Sequence, residues 1–337
     1  MYSFKDDYSE LGHEKVLNDL LKISKSQLDG YGLDSISAEA QELIRKRFAL
    51  GNADIHFLSG GTQTNMVLIH SALSPVEAVI AAESGHICVH ECGTIESHGN
   101  KILCVPDHNG MISPLDIESV FKSHNDEHMV KPKLVYISQA TEKGTVYTKE
   151  ELKDIYQICR KLGLYLYIDG ARLGTALVSE DTDVKAQDIA KLCDAFYIGG
   201  TKNGSPLGEA LCIINEKIKR DFRYYLKQNG AMLAKGALTG SCFKTLFTDD
   251  LYFDIARYSN KMAQKLAKAF IGKGYKMSCN SPANLIFPIL DNNKIKELQK
   301  HIKFHIWDKI DDNNTVIRLV CSWATDESEV DKLIEML

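Results

Sequence analysis

The chain has 337 residues, of which 44% are hydrophobic and 25% are charged, and its formal net charge is -5. A chain of this length exceeds one minimal core, so we predict two domains around a large buried interior. The weakly acidic balance, without a Lys/Arg run, excludes the basic surface that nucleic acids and anionic membranes attract.

The N-terminus and the cysteines predict a cytoplasmic protein. The first ten residues, MYSFKDDYSE, are acidic and lack the basic and apolar regions of a signal peptide. The apolar runs are about six residues long, far below the ~20 that span a bilayer. Nine cysteines are scattered without a CxxC pair, as is typical of reduced thiols.

From residue 36 to about residue 214, apolar strands alternate with helical patterns, which predicts βαβ units and a mainly parallel sheet. Predicted strands are Ala53–Leu58, Ala78–Ala82, Ile102–Val105, Leu134–Ser138, Leu164–Ile168, Ala195–Ile198 and Ala210–Ile214. Predicted helices are Ile36–Leu50 with Ser35 as N-cap, Thr62–Leu73, and one that runs from the capping box of Thr148 and Glu151 to about Leu162.

After residue 215 the pattern changes to two long helices, roughly 215–228 and 230–270, and then to a mixture of short elements. These are strands at Leu285–Leu290 and Val316–Val320 and helices at Lys294–His301 and Glu327–Leu337. We therefore predict an α/β protein with three parts: an N-terminal segment (1–20), a large domain (21–245) and a smaller C-terminal α+β domain (246–337).

Two motifs, Tyr167-Ile-Asp-Gly-Ala-Arg172 and Tyr197-Ile-Gly-Gly-Thr-Lys-Asn-Gly204, each begin at the end of an apolar strand. Ligands of open α/β sheets bind beyond the carboxyl ends of the strands, so Asp169 and Lys202 are expected side by side. A lysine that condenses with an aldehyde and a carboxylate that keeps a pyridine nitrogen protonated are what pyridoxal phosphate needs. Thr201 offers a hydroxyl to the phosphate. Taken alone, Asp169 could be an ordinary turn residue and Lys202 an ordinary solvated lysine in a loop. This interpretation explains the two motifs together poorly.

The stretch Ser59-Gly-Gly-Thr-Gln-Thr-Asn65 lies between a predicted strand and a predicted helix. Glycines and free amides at a helix N-terminus form a phosphate cradle. The stretch lacks both GxGxxG spacing and the Lys-Ser/Thr of a P-loop, so on its own the signal is weak.

The stretch Gly85-His-Ile-Cys-Val-His-Glu91 raises the hypothesis of a metal site, because His86 and His90 are one helical turn apart. Spacing provides no third ligand, and the HExxH pattern is absent, so we predict no bound metal. His86 directly follows the region of the Ala78–Ala82 strand, and we predict that its imidazole stacks on the cofactor ring.

Arg318 lies inside the predicted strand Val316–Val320. Burial of a guanidinium is costly unless it meets an anion, and a carboxylate suits its fork. The partner is therefore either a substrate carboxylate or a structural Asp or Glu.

In this order, the motifs resemble the threonine aldolase / β-eliminating lyase family of fold-type-I pyridoxal-phosphate enzymes. The similarity extends over nearly the whole chain. Further matching segments are Phe4–Ser9, Gly30–Asp34, Ile137–Tyr147, Lys227–Gly230 and Ala234–Gly236. The pairing of the Asp169 and Lys202 motifs is specific, whereas the glycine turns are not.

The resemblance implies cleavage of β-hydroxy-α-amino acids of the L-threonine and L-allo-threonine type to glycine and an aldehyde. It implies a homotetramer built from dimers, with active sites at the dimer interface. The implied catalytic residues are Lys202 as the Schiff-base lysine, Asp169 at the pyridine nitrogen and His86 on the ring. The cofactor site would also include Gly61, Thr62, Arg172 and Thr201. We place Arg172, Arg318 and Glu91 at the substrate.

One departure from the family concerns the substrate hydroxyl. A better-known branch has a Glu-Asn-Thr-His stretch, which we align with Ser138–Thr141, so that Thr141 replaces a histidine near that hydroxyl. We therefore expect weak discrimination between threonine and allo-threonine, with His86, His90 or Glu91 assisting proton transfer.

Three alternatives remain. A β-elimination or other lyase reaction on a different amino acid would use the same cofactor. A dinucleotide-binding oxidoreductase predicts a GxGxxG after the first strand, which is absent. A non-catalytic interaction protein on the same fold would bind no cofactor.

Overall fold

The structure is a computed structural model that describes residues 1–180 and 182–337. The strands are β1 (Tyr2–Ser3), β2 (Asp54–Leu58), β3 (Glu77–Ala82), β4 (Lys101–Val105), β5 (Lys131–Ser138), β6 (Tyr165–Asp169), β7 (Ala195–Gly199), β8 (Glu209–Ile213), β9 (Lys276–Met277), β10 (Leu285–Ile286), β11 (Pro288–Asp291), β12 (Ile302–Lys303), β13 (His305–Lys309) and β14 (Asn314–Val320).

The helices are α1 (Glu14–Lys22), α2 (Ser35–Phe48), α3 (Gly61–Ala72), α4 (His86–Val89), α5 (Pro114–Ser123), α6 (Lys149–Leu162), α7 (Leu173–Leu177), α8 (Ala186–Ile189), α9 (Glu216–Lys219), α10 (Phe222–Gln228), α11 (Ala237–Phe247), α12 (Leu251–Gly272), α13 (Asn292–Leu298) and α14 (Glu327–Glu335). Two 3₁₀ turns lie at Glu96–His98 and Thr248–Asp250. None of these helices is long and apolar enough to cross a membrane, in the part of the chain that the structure describes.

A seven-stranded sheet in the order β2-β8-β7-β6-β5-β3-β4 forms the centre of the molecule. The pairs from β7 to β4 are parallel, whereas β8 runs antiparallel to both β7 and β2. All seven predicted strands of the first 214 residues belong to this sheet, which confirms the predicted mainly parallel α/β architecture.

The strands of this sheet are apolar throughout because both faces are covered. Along β5, Val135 and Ile137 pack in one core cluster, whereas Leu134 and Tyr136 pack in another. Successive side chains of a strand point to opposite faces, so each strand contributes to two cores. Burial of each such aliphatic side chain stabilises the fold by roughly 1.5–3 kcal/mol.

The carboxyl ends of β5, β6 and β7 lie next to one another. Ser138 at the end of β5 pairs in register with Asp169 at the end of β6. The turn after β7 leads directly to Lys202. The parallel arrangement therefore brings side chains from distant parts of the sequence to one edge of the sheet.

Two helix starts test the capping predictions. Thr148 and Glu151 form the predicted capping box at the start of α6. The predicted N-cap Ser35 of α2 is wrong, because Asp34 has the extended backbone and accepts a hydrogen bond from the Ser37 amide at 2.8 Å. Ser35 is instead the first helical residue.

The predicted long helix at 230–270 is also wrong, because it is two helices, α11 and α12. Asp249 and Asp250 between them have positive φ angles of 52° and 58°. Aspartate tolerates this left-handed region better than most residues, so the chain changes direction there. The helical spacing of apolar residues continues on both sides of this break, so the sequence pattern does not reveal it. The predicted helix at 215–228 is likewise divided, into α9 and α10.

The C-terminal part contains a smaller sheet in the order β10-β14-β11-β9, with β13 also paired to β14. The predicted strand Leu285–Leu290 corresponds to β10 and β11, which both pair with β14. The N-terminal β1 pairs in parallel with β12, so residues from both ends of the chain pack together here.

Candidate active site

A cleft of about 360 Å³ lies at the carboxyl ends of the central strands. Its volume falls within the roughly 300–1,000 Å³ that is typical of small-molecule sites. The structure brings all seven predicted cofactor residues to its wall. These are Gly61, Thr62, His86, Asp169, Arg172, Thr201 and Lys202.

Asp169 is buried at the end of β6 and accepts three hydrogen bonds. Its Oδ2 accepts from the Tyr136 hydroxyl at 2.7 Å and from Asn65 Nδ2 at 3.0 Å. Its Oδ1 accepts from the Ala171 amide at 2.9 Å. The carboxylate is therefore held in one orientation by donors from two neighbouring elements and from its own turn.

Lys202 follows β7 and shares the cleft with Asp169. Burial, together with the positive charge of Arg172, lowers the pKa of Lys202 from its usual value, while Asp7 and Asp169 oppose the change. A lowered pKa increases the fraction of neutral amine, which is the form that attacks an aldehyde.

The N-terminus of α3 borders the same cleft through Gly60, Gly61 and Thr62. No side chain caps this helix start. A Cβ at Gly61 would lie 2.9 Å from the Tyr197 hydroxyl, so only glycine allows this close approach. Free amides at a helix N-terminus attract an anion, which agrees with the predicted phosphate cradle.

His86 lies on the cleft wall, and its imidazole is 32% exposed. Its Nδ1 lies 2.7 Å from Glu91 Oε1. Glu91 is buried and also accepts a hydrogen bond from Asn65 Nδ2 at 2.8 Å. The predicted contact between Glu91 and substrate is therefore not supported, because this carboxylate does not line the cleft and instead orients His86.

Arg172 lines the cleft but already has a carboxylate partner. Its Nε donates to Asp7 Oδ2 at 2.7 Å and its Nη2 donates to Asp7 Oδ1 at 3.1 Å. Asp7 also accepts from Asn284 Nδ2 at 3.0 Å. Of the three guanidinium nitrogens of Arg172, only Nη1 does not donate to Asp7. The predicted contact between Arg172 and a substrate carboxylate would therefore depend on Nη1.

Arg318 lies on β14 and has a different environment. Its Nη2 is 4.0 Å from Asp6 Oδ1, and its guanidinium lies 4.8 Å from the Trp307 ring centre. Its buried Nε has no hydrogen-bond partner among the described residues. Burial and the charge of Arg172 lower the pKa of Arg318. A guanidinium this poorly paired has capacity for an incoming carboxylate.

Sequence reasoning missed two carboxylates in the cleft, Glu142 and Glu209. Burial raises the pKa of Glu209 to about 7, although it accepts from the Gly200 amide at 2.7 Å. Glu142 directly follows Thr141, and Glu209 directly precedes the predicted strand Ala210–Ile214. A buried acid directly after Gly208 was the available signal.

Thr141, predicted near the substrate hydroxyl, does not line the cleft. Its side chain is buried, and its Oγ1 lies 2.6 Å from Thr145 Oγ1. The turn after β5 directs Glu142 rather than Thr141 into the cleft, so Thr141 is not placed to do the acid–base work of the family's histidine.

The family model described as beta-eliminating lyase matches residues 16–287. The chain is 32% identical over 307 residues to a low specificity L-threonine aldolase of Pseudomonas sp. (strain NCIMB 10558), and the match covers 90% of this chain and 87% of that protein.

Solved structures agree with these similarities. A threonine aldolase from Leishmania major has a TM-score of 0.98 and 45% sequence identity, over 99% of this chain and 98% of that chain. An aspartate aminotransferase from Thermus thermophilus has a TM-score of 0.71 at 16% identity, over 97% of this chain and 88% of that chain, and shares the fold alone. The predicted fold class, that of the fold-type-I enzymes, is confirmed.

Proposed function

The chain belongs to the β-eliminating lyase family, and we propose that it is a pyridoxal-phosphate-dependent aldehyde-lyase that cleaves L-threonine and L-allo-threonine to glycine and acetaldehyde. The observation that carries the proposal is the meeting of Lys202 and a triply hydrogen-bonded Asp169 in one cleft, beside an uncapped helix N-terminus.

The residues present fit this cofactor. The uncapped start of α3 offers amides to a phosphate, and Gly61 lacks the Cβ that would crowd the Tyr197 hydroxyl beside it. Lys202 would hold the cofactor through its aldehyde, and the Asp169 carboxylate would face the pyridine nitrogen. His86, oriented by Glu91, would lie against the ring. When bound, the cofactor supplies a sink for the electron pair that bond cleavage leaves on Cα.

The protein's own task is then to orient the amino acid. Arg318 is not among the residues that line the cleft, but it lies close to Arg172 and His90, which are. Its Nε has no hydrogen-bond partner among the described residues, whereas Arg172 is occupied by Asp7, so Arg318 is our candidate for the substrate carboxylate. A carboxylate fixed at two points determines which Cα bond stands perpendicular to the ring, and that bond is the one that breaks. Holding the Cα–Cβ bond in that position favours aldol cleavage.

The test is a product assay with purified protein supplied with the cofactor. L-threonine and L-allo-threonine should each yield equal amounts of glycine and acetaldehyde, at comparable kcat/KM. Borohydride reduction followed by peptide mapping should place the cofactor on Lys202. Ammonia and a keto acid without glycine would replace this proposal by β-elimination, which the family description favours as the second candidate.

We further propose the division into an N-terminal segment (1–20), a large domain (21–245) and a small domain (246–337). The separate central and C-terminal sheets support a boundary between β8 and β9, and the proposed boundary falls in the last turn of α11. A homotetramer built from dimers and a cytoplasmic location complete the proposal. The nine free cysteines support a reducing environment.

A further inference from the structure

Glu142 is the cleft residue whose chemistry is not yet explained. It lies in the turn after β5, half-buried, and it lines the cleft together with His86 and Asp169. Carboxylates at such positions are costly unless they are hydrogen-bonded or used.

The two oxygens of Glu142 have different surroundings. Its Oε1 accepts from the Ser138 hydroxyl at 2.8 Å and from the His86 backbone amide at 3.0 Å. Its Oε2 accepts no hydrogen bond from any residue in 1–180 or 182–337. One oxygen therefore fixes the orientation of the group, and the other is available to a ligand in the cleft.

Other groups are less suited to accept a proton from a substrate hydroxyl. The Nδ1 of His86 is committed to Glu91, and its ring face is assigned to the cofactor. Thr141 is buried against Thr145, away from the cleft. His90 lines the cleft, but burial, together with the charges of His86, Arg318 and Lys202, lowers its pKa and weakens it as a base.

We propose that Glu142 is the catalytic base that takes the proton from the β-hydroxyl of the substrate through Oε2. This inference rests on the proposed aldol cleavage. As the proton moves to Glu142, the oxygen lone pair forms the C=O bond and the Cα–Cβ electrons remain on Cα. Glu142 then releases this proton to solvent, which restores the carboxylate. Cα takes a separate proton from solvent, so glycine and an aldehyde are the only products.

The electrostatic environment supports this role. Burial and the nearby charge of Asp169 raise the pKa of Glu142, while the Ser138 hydroxyl and His86 partly oppose the change. A carboxylate with a raised pKa is a stronger base than an exposed one. Other titratable groups that interact with it are Arg172, Tyr136, Tyr147 and Cys88.

Glu142→Gln tests the base directly, because an amide oxygen can still accept from Ser138 and from the His86 amide but cannot take a proton. In the cofactor-loaded enzyme, kcat for L-threonine and L-allo-threonine should fall by about 10²–10⁴-fold. Cofactor absorbance, and exchange of the glycine α-proton in D₂O followed by NMR, should stay within a few-fold of wild type, since neither involves a β-hydroxyl.

Two further variants complete the experiment. Thr141→Ser should cleave threonine like wild type, because Thr141 does not reach the cleft. Glu142→Asp keeps a carboxylate and should recover part of the lost activity. The acidic limb in the pH profile of wild-type kcat/KM should be absent in Glu142→Gln.

The outcomes separate this inference from the proposed function. Threonine cleavage by Glu142→Gln at the wild-type rate would overturn the assignment, as would an equal loss of glycine exchange and cleavage, which indicates a structural role. If wild type exchanged glycine but released none from threonine, the proposed aldol cleavage itself would fail, and the base assignment with it.

Discussion

Among three carboxylates near Lys202, all at least half-buried, two have a raised pKa and one has a lowered pKa. Burial raises the pKa of Glu142 and of Glu209, and for Asp7 the opposing charges of Arg172 and Lys202 overcome burial and lower it. At neutral pH, the site therefore contains acids that differ in their readiness to hold a proton. Such separation of neighbouring groups is what acid–base chemistry requires.

Glu209 makes stability depend on pH. Its pKa rises from 4.5 to about 7 on folding, so between these values the folded state binds more protons than the unfolded state. Stability contributed by the neutral form is present below pH 4.5 and is lost as pH rises toward 7. At roughly 1.4 kcal/mol per pH unit, the loss amounts to about 3 kcal/mol.

Glu209→Gln should therefore melt at a higher temperature than wild type at pH 8 and at nearly the same temperature at pH 4.5. The amide still accepts from the Gly200 amide but carries no charge. Thermal unfolding of the cofactor-free protein across this pH range measures the difference. A difference independent of pH would show that Glu209 does not titrate in this window.

Arg318→Lys should raise KM for L-threonine about 10–100-fold, because a point charge replaces a fork and one charged hydrogen bond of roughly 1.5–3 kcal/mol is lost. Cofactor content should remain unchanged. Steady-state kinetics and cofactor absorbance measure both effects.

Arg257→Lys is the matched control, since Arg257 is 53% exposed and pairs with Asp254 on α12. It should leave KM unchanged. An unaltered KM in Arg318→Lys would mean that Arg318 does not bind the substrate and has only a structural role in β14.

At the scale of single elements, local hydrogen bonds decide where helices begin. Asp34 is buried and accepts from both the amide and the hydroxyl of Ser37, each at 2.8 Å. Ser35 is exposed and caps nothing. Both residue types are favoured N-caps, so their order in the sequence does not identify the cap.

Asp34→Ala should lower the free energy of unfolding by about 1–2 kcal/mol, since the first turn of α2 loses its cap. Ser35→Ala should change it by less than about 0.5 kcal/mol, as is usual for exposed sites. Urea denaturation of the two variants measures the difference. An equal loss of unfolding free energy in Asp34→Ala and Ser35→Ala would contradict the assignment of Asp34 as the cap.

At the scale of the whole molecule, several large apolar side chains lie exposed around one region. The 30–33 loop packs against residues near 234 through the Tyr31 amide and the Ala234 carbonyl, at 3.2 Å. Here Tyr31 is 43%, Leu33 66% and Leu238 40% exposed. Exposed apolar groups that lie together indicate an interface.

The proposed homotetramer predicts a solution mass near four times 37.7 kDa by light scattering, with this region at one of its interfaces. Leu33→Glu should lower this mass, because a charge would be buried between subunits. Leu115→Glu, at a site that is 75% exposed on α5, is the control and should leave the mass unchanged. A monomeric wild type would contradict the expectation.

The sequence by itself determined the central sheet and the placement of Lys202 and Asp169 in one cleft. The strands are continuous apolar runs because both faces are buried, and motifs at the ends of parallel strands converge at one edge. The capping box of Thr148 and Glu151 was equally predictable, since its hydrogen bonds span only three residues.

Only the tertiary structure decided that Asp7 pairs with Arg172, that Glu142 rather than Thr141 reaches the cleft, and that α11 and α12 separate at Asp249. Asp7 and Arg172 are 165 positions apart, and no periodic pattern encodes such a contact. Adjacent residues in a turn point in different directions. An error of one position in the alignment therefore selects Thr141, whose hydroxyl is buried, instead of Glu142, whose carboxylate lies in the cleft. Side-chain direction in turns follows from packing against distant elements, which the order of residues alone does not contain.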